Sequence, residues 1–314
     1  MVQILFYLAR SIRPRQALKN LSLLAPLIFT GQLFVTGKFS TVIWAIILFT
    51  LLTSAVYLLN DIADLSRDRL HPIKKNRPIA AGKLPVPIAL FAAIISVVIS
   101  LAFGYSLGFF FFLIQLAYLT LQISYTLSLK KLIIVDILSI AAGFILRVYA
   151  GSLVINAHMS VWFLLCTVSL ALFLAVGKRR AELTIVGPEK TTRKTLDSYN
   201  LNLLDSYLAI FATSAWLSYA LFTFFNPPPV ANYSIPFLAK LPATLAGINK
   251  WLMITIPLVL YGLMRYINIV YTAGIKAEAP ERVLLNDKPL LITVILWGGL
   301  VVLILYGLSP AVLN

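Results

Sequence analysis

The chain has 314 residues, of which 60% are hydrophobic, 12% aromatic and only 12% charged. Soluble domains carry about 45–50% apolar and about 25% charged residues, so a soluble enzyme with a solvated shell is excluded, and abundant apolar surface excludes disorder. The net charge of +15, from 26 Lys and Arg against 11 Asp and Glu, therefore belongs on the rims of something embedded in lipid rather than on a nucleic-acid-binding face, and the single Cys166 rules out a disulfide framework.

A lipid-spanning helix needs about 20 mostly apolar residues. Nine stretches qualify in chain order, at roughly 21–36, 41–59, 85–102, 107–127, 133–155, 160–177, 205–225, 249–271 and 290–308. Continuous runs such as VIWAIILFTLLTSAVYLL argue against a β-barrel, which needs segments of about ten alternating residues. The first stretch follows a basic segment with Arg10, Arg13, Arg15 and Lys19, unlike a cleaved signal peptide. No soluble segment longer than about 25 residues interrupts the pattern, so residues 1–314 read as one transmembrane domain. The Pro-rich stretch FNPPPVANYSIPFLAKLP reads as a long structural loop on the side opposite the N-terminus.

The charges sort by side. Arg10, Arg13, Arg15, Lys19, Arg67, Arg69, Lys74, Lys75, Arg77, Lys83, Lys130, Lys131, Lys178, Arg179, Arg180, Lys190, Arg193, Lys194, Arg265, Lys276, Arg282 and Lys288 fall on the side of the N-terminus, 22 of the 26 basic residues. That excess marks the side as cytoplasmic, and nine spans put the C-terminus outside. All 11 acids lie on or near the same side: Asp61, Asp64, Asp68, Asp136, Glu182, Glu189, Asp197, Asp205, Glu278, Glu281 and Asp287. Acids contribute little to orientation, so their one-sidedness points to a face that binds anions with basic residues and metal with carboxylates.

The second span runs into LLNDIADLSRDRLHPIKKNRPIAAG. Asp61, Asp64 and Asp68 stand at i, i+3 and i+7 and share one face if the helix continues, with Asn60 beside them. A hard cation relieves their repulsion, and Mg²⁺ prefers carboxylate oxygens and bridges to substrate phosphates. Arg69, Lys74, Lys75 and Arg77 supply the matching anion clamps, and Pro72, Pro78 and Gly82 shape a loop. His71 reads as a residue that hydrogen-bonds within that loop.

A second charged cluster, GKRRAEL, has Glu182 as its only acid behind Lys178, Arg179 and Arg180. Lys178 and Glu182 are i, i+4, which as an exposed helix pair contributes roughly 0.3–0.5 kcal/mol. The functional alternative is an anion site in which cations stand where a carboxylate would bind metal. Arg147 lies mid-span in SIAAGFILRVYAGSLVI and is a functional candidate by default, aimed at a phosphate, the bland reading being a structural pair with another helix. Asp136, eleven residues earlier and about 16 Å away along the axis, points to nearly the same side.

The string Asn60-Asp61-x-x-Asp64-x-x-x-Asp68-Arg69, then His71-Pro72-x-Lys74-x-x-Arg77-Pro78-Ile79-x-x-Gly82, resembles the first signature of the UbiA-type prenyltransferase superfamily. The resemblance implies an all-α polytopic membrane protein, with nine transmembrane helices around a central cavity open toward the cytoplasmic side. It also implies Mg²⁺ as cofactor, held by Asp61, Asp64 and Asp68. The second cluster departs from the usual D-x-x-x-D. That departure, with SIRPRQALKNLSLLAPLIF, SYTLSLKKLIIVDILSIAAGFILRVYAG, RYINIVYTAG and APERVLLNDKPLL, resembles the decaprenyl-phosphate phosphoribosyltransferase branch, apart from Ala17 where that branch usually has Trp.

The branch implies transfer of 5-phosphoribosyl from phosphoribosyl pyrophosphate to a polyprenyl phosphate in a bacterial inner membrane, serving cell-envelope synthesis. Asp61, Asp64, Asp68, Lys178 and Glu182 would carry the chemistry. Lys19, Asn60, Arg69, Lys74, Arg77, Tyr125, Lys130, Lys131, Asp136, Arg147, Arg179 and Arg265 would bind the substrates and the ion. Partners are then the lipid phosphate, the sugar diphosphate and the bilayer, with no nucleic acid and with homo-oligomers left open. Prenyl transfer to an aromatic acceptor such as 4-hydroxybenzoate, and anion transport, are the alternatives.

Overall fold

The structure, a computed structural model, describes residues 2–70, 74–186, 199–225, 250–272 and 280–307. Every regular element among them is helical. The Pro-rich loop, His71, Glu189, Asp197, Glu278 and the basic residues 190, 193, 194 and 276 lie outside the described residues.

Among the described residues eight helices are long and apolar enough to cross a membrane, and together with their exposed apolar faces they make the chain an integral membrane protein. Large side chains such as Phe91, Ile94, Val98 and Phe103 on one helix and Ile292, Ile295 and Leu296 on another stand exposed, as expected where lipid is the solvent. The ninth expected span, 21–36, differs. Pro14–Leu23 is a ten-residue 3-10 helix, followed by the short α2 (Leu24–Phe29) and by turns at Gly31 and Gly37, both with positive φ. Ser22 interrupts its apolar run, and Pro26 and the two glycines limit continuation as an α-helix.

The chain forms two compact units. The first comprises Met1–Leu27 and Val35–Ala157. It contains α1 (Val2–Ser11), the 3-10 helix, α3 (Lys38–Ala63), α4 (Leu65–Leu70), α5 (Val86–Leu107), α6 (Phe109–Leu127) and α7 (Val135–Ile155). The apolar windows of α3 and α7 are 56% and 50% buried against 17% for α5 and α6, so α3 and α7 are the inner helices and the ones that can carry a site. Small residues, Ala55 on α3 and Ala89 and Ala93 on α5, share one buried cluster and let the helices approach. Ser100 Oγ donates to the Leu48 carbonyl at 2.7 Å and accepts from Gln115 Nε2 at 2.9 Å, a polar clamp joining α3, α5 and α6. Gly151 on α7 lies against the backbone of Leu23, where a Cβ would overlap the Leu23 carbonyl.

The second unit comprises Ile28–Phe34 and His158–Asn314. Its helices are α8 (Val161–Val186), α9 (Leu201–Phe225), α10 (Ile256–Thr272), α11 (Pro280–Asn286) and α12 (Lys288–Val302). Phe29 is the hub of an aromatic cluster with Phe163, Phe222 and Trp297, at centroid distances of 5.3, 5.4 and 6.0 Å. The helix expected over 160–177 continues to Val186, because the Lys, Arg, Ala, Glu and Leu of GKRRAEL are strong helix formers.

Candidate functional site

In the first unit the acidic motif straddles a helix end. Helix α3 closes at Ala63, Asp64 is a turn residue with φ −94° and ψ 9°, and α4 restarts at Leu65. Backbone bonds from Asp64 N to Asn60 O (2.9 Å) and from Asp68 N to Asp64 O (2.8 Å) keep the turn tight. The expected single face is therefore broken, and the three carboxylates divide. Asp61 and Asp68, 2% and 3% exposed, converge on Arg77, whose Nη1 lies 3.0 Å from Asp61 Oδ1 and 2.5 Å from Asp68 Oδ2. Asp64 turns instead to Lys130, with Nζ 3.0 Å from Oδ1, and has the exposed Arg67 at 3.9 Å. Arg13 completes the group with an ion pair to Asp61 and stacks 5.1 Å from the Tyr57 ring. Asn60 Oδ1 accepts from the Thr126 hydroxyl.

The loop that delivers Arg77 is itself fixed. The Pro78 carbonyl accepts from Lys83 N and Leu84 N at 2.9 and 3.0 Å, Gly82 takes φ +72°, and Ile79 and Leu84, each 1% exposed, pin the loop in the core. Lys74 starts the last turn before Arg77, with the Arg77 amide on its carbonyl at 2.9 Å. Lys19 donates to Gln16 Oε1 at 2.6 Å. Arg69 and Lys131 are exposed, Tyr125 is half-buried, and Asp136 is buried in the first turn of α7, where the helix dipole favours a carboxylate.

Among the described residues no group of three His, Cys, Asp or Glu side chains is assembled to hold a metal, so the expected three-carboxylate set is not formed as such. Two of the three fit one. The Asp61 and Asp68 oxygens share one Arg77 nitrogen at 3.0 and 2.5 Å and so lie at most about 5.5 Å apart. Cis and trans ligands of an octahedral Mg²⁺ at about 2.1 Å lie about 3–4.2 Å apart. The guanidinium nitrogen stands between hard oxygen donors where a small cation would bind.

Two cations expected to bind substrate are engaged within the chain itself. Arg147, 4% exposed, donates from Nε to Asn20 Oδ1 (2.8 Å), from Nη1 to the Gly143 carbonyl (2.6 Å) and from Nη2 to Tyr118 Oη (2.8 Å). Arg265 forks onto Asp287, Nε–Oδ1 3.1 Å and Nη2–Oδ2 2.8 Å, and Asp287 also caps α12 by accepting from Leu290 N at 2.9 Å. Neutral groups of neighbouring elements satisfy the buried Arg147, whereas the Asp287 carboxylate neutralises Arg265, whose side chain keeps 36% of its surface.

In the second unit, Glu182 pairs with Arg179 rather than primarily with Lys178, whose Nζ is 4.0 Å from Oε1. Arg179 is 1% exposed, so its charge is neutralised inside the unit, while the Lys178 side chain keeps 30% of its surface. Arg180 Nε binds Asp205 Oδ1 at 2.9 Å and its guanidinium stacks 3.8 Å from the Tyr271 ring, which ties α8 to α9 and α10. Arg13 as the partner of Asp61, Asn20 and Tyr118 around Arg147, and the Arg180–Asp205–Tyr271 group went unread as sites in the sequence. Their positions are far apart along the chain, and only Arg147, within an apolar run, gave any signal.

Residues 23–271 match the UbiA prenyltransferase family. The chain is 33% identical over 304 residues to the decaprenyl-phosphate phosphoribosyltransferase of Corynebacterium glutamicum, covering 95% of this chain and 86% of that one. It is 34% identical over 302 residues to the enzyme of the same name from Mycolicibacterium smegmatis, covering 93% and 90%. A solved structure of a UbiA homologue from Archaeoglobus fulgidus bound to GPP and Mg²⁺ superposes with TM-score 0.67 at 17% identity, covering 95% of this chain and 99% of that one. That likeness extends the agreement to the fold, and the acidic motif, the arginine-bearing loop after it and the extent of the match together establish that the chain belongs to the UbiA prenyltransferase family, a family of transferases.

Proposed function

We propose that the chain transfers the 5-phosphoribosyl group of phosphoribosyl pyrophosphate to the phosphate of a polyprenyl lipid of the decaprenyl type. The observation that carries this reading is the 33–34% identity to phosphoribosyltransferases over more than nine-tenths of the chain. The second cluster supports it, because the usual second pair of acids is reduced to Glu182, already paired with the buried Arg179. An acceptor phosphate oxygen bonds to C1 of the ribose as the C1–O bond to pyrophosphate breaks, the electron pair leaving on pyrophosphate, with inversion from α to β. The acceptor is already an anion, so no general base is needed.

Asp61, Asp68 and Asp64 would hold Mg²⁺. Bound there, the ion supplies charge neutralisation for the departing diphosphate. Arg77, Arg13 and Lys130, which pair with these carboxylates, would clamp the diphosphate electrostatically. Lys178, the more accessible of the second cluster's cations at its Glu182 pair, serves the ribose 5-phosphate or the acceptor phosphate. Arg179 is held for the same anion by Glu182. Arg69, Lys74, Lys131, Tyr125, Asn60 and Asp136 complete the binding set around the motif.

The reading places the protein in a bacterial inner membrane with its N-terminus cytoplasmic. The expected ninth crossing, at 21–36, would put the C-terminus outside.

Protein in lipid vesicles supplied with Mg²⁺, labelled phosphoribosyl pyrophosphate and a polyprenyl phosphate is expected to form labelled lipid. Prenylation of 4-hydroxybenzoate from a prenyl diphosphate, with no labelled lipid, would overturn the proposal in favour of aromatic prenyl transfer.

A further inference from the structure

Arg147 is a cation buried in the middle of an apolar helix, and among the described residues no carboxylate pairs with it. Its three hydrogen bonds go to neutral acceptors, and its guanidinium lies 4.8 Å from the Tyr118 ring centre, 5.7 Å from Phe144 and 5.9 Å from Phe49. The partner that matters is Asn20, itself 0% exposed. Asn20 accepts from Arg147 on one side of its amide and donates from Nδ2 to Thr50 Oγ1 (3.0 Å) and Thr53 Oγ1 (3.2 Å) on α3 with the other. One amide therefore joins the 3-10 helix to both inner helices of the unit.

The 3-10 helix needs such a hold. Runs longer than three or four residues are uncommon because the hydrogen-bond geometry is poorer than in an α-helix, yet this one persists over ten residues. Its N-terminal end carries Arg13, in the left-handed region at φ 53° and ψ 66°, paired with Asp61 of the acidic motif. Gln16, one turn on, accepts from Lys19 at 2.6 Å and from Tyr57 at 3.3 Å. Relaxation to an α-helix between Asn20 and Arg13 would change the rise from about 2.0 to about 1.5 Å per residue and the turn from about 120° to about 100°. Over seven residues this moves Arg13 about 3.5 Å along the axis and about 140° around it, off Asp61.

We propose that Arg147 is a positioning residue that never touches substrate. It fixes Asn20, and through Asn20 it holds the 3-10 register that sets Arg13 at the acidic motif. The kinetic part of the test rests on the phosphoribosyl-transfer reading, whereas hydrogen exchange of the 3-10 helix amides is independent of it.

In the full-length protein in vesicles, Arg147→Met is expected to raise amide exchange across residues 15–23 at least tenfold. It should also raise the KM for phosphoribosyl pyrophosphate at least tenfold, with a smaller change in kcat. Arg13→Ala should raise KM similarly while leaving exchange near wild type, and the double variant should be no worse in KM than Arg13→Ala alone, because the second loss acts through the first. Asn20→Asp keeps an acceptor for Nε, neutralises the buried charge and accepts from the Thr50 and Thr53 hydroxyls where Asn20 donates to them, and should retain KM and exchange within twofold. Should Arg147→Met fail to accumulate in membranes, Asn20→Ala cuts the same link and is expected to reproduce its effects.

Multiplying losses in the double variant, or a KM defect in Asn20→Asp with exchange unchanged, would show that the charge of Arg147 acts on substrate directly and would overturn the proposal. Unchanged exchange in both Arg147→Met and Asn20→Ala would overturn it as well. If the wild-type chain transfers no phosphoribosyl group, the functional reading fails and the exchange result alone decides the positioning role.

Discussion

Gly151 offers a sharp test of how the first unit is packed. Replacing a helical glycine with alanine ordinarily stabilises by about 0.5–1 kcal/mol, because alanine loses less backbone freedom on folding. At Gly151 the sign should reverse. A Cβ there would overlap the Leu23 carbonyl carbon, its oxygen and its Cα, and all three are backbone atoms that no rotamer change can move. The 3-10 helix must then separate from α7, at a cost typical of overpacking, about 1–3 kcal/mol, which outweighs the propensity gain.

Gly298 and Gly299 on α12 are the matched controls, since a Cβ at either meets nothing within 4 Å. Thermal unfolding in one detergent, followed by fluorescence for the wild type and the three alanine variants, checks the reasoning. Gly151→Ala should melt below wild type, and Gly298→Ala and Gly299→Ala at or above it. Gly151→Ala melting as high as the controls would refute the close approach, and with it the packing that places Asn20 against Arg147.

The remaining predictions concern charge and polar pairing. Arg77→Met leaves Asp61 and Asp68 buried beside each other without their shared cation, so it should lose about 3–5 kcal/mol in a chelator and recover much of that in Mg²⁺; equal melting with and without Mg²⁺ would remove the metal from this pair. Asp287 sits at the head of α12, and the Arg265 fork, followed by the Leu290 amide, holds its carboxyl below the usual range. A carboxylate with a depressed folded-state pKa stabilises above its unfolded value, about 3.9, and the stabilisation is lost as pH falls through the folded value. Wild-type stability should therefore decline on acidification below about pH 4 more steeply than that of Asp287→Asn, as measured by melting across pH. Ser100→Ala removes both bonds of the α3–α5–α6 clamp and leaves Gln115 Nε2 without its partner, at a cost of about 0.6–1.7 kcal/mol in the same melting assay.

The acidic string from Asn60 to Asp68 and the arginine loop after it were legible because their spacing is local. So were the membrane class and most helix positions, since a 20-residue apolar run can satisfy its own backbone in lipid only as a helix. Local spacing assumed a continuous helix through Asp64, and a single turn residue was enough to divide the carboxylates between Arg77 and Lys130. The same limit governed Arg147, whose cost of burial marked it as special without naming what it faces, and Arg265, which only the resemblance to the branch singled out.

The sequence by itself determined that this is a helical membrane protein with a charged, motif-bearing face, because burial of apolar length and the chemistry of neighbouring residues are written along one dimension. Only the tertiary structure decided which charged and polar groups pair. Arg13 with Asp61, Arg147 with Asn20 and Arg265 with Asp287 are separated by 48, 127 and 22 residues. Ion pairing and hydrogen bonding act over a few ångströms of space, and nothing in the linear order encodes that closeness.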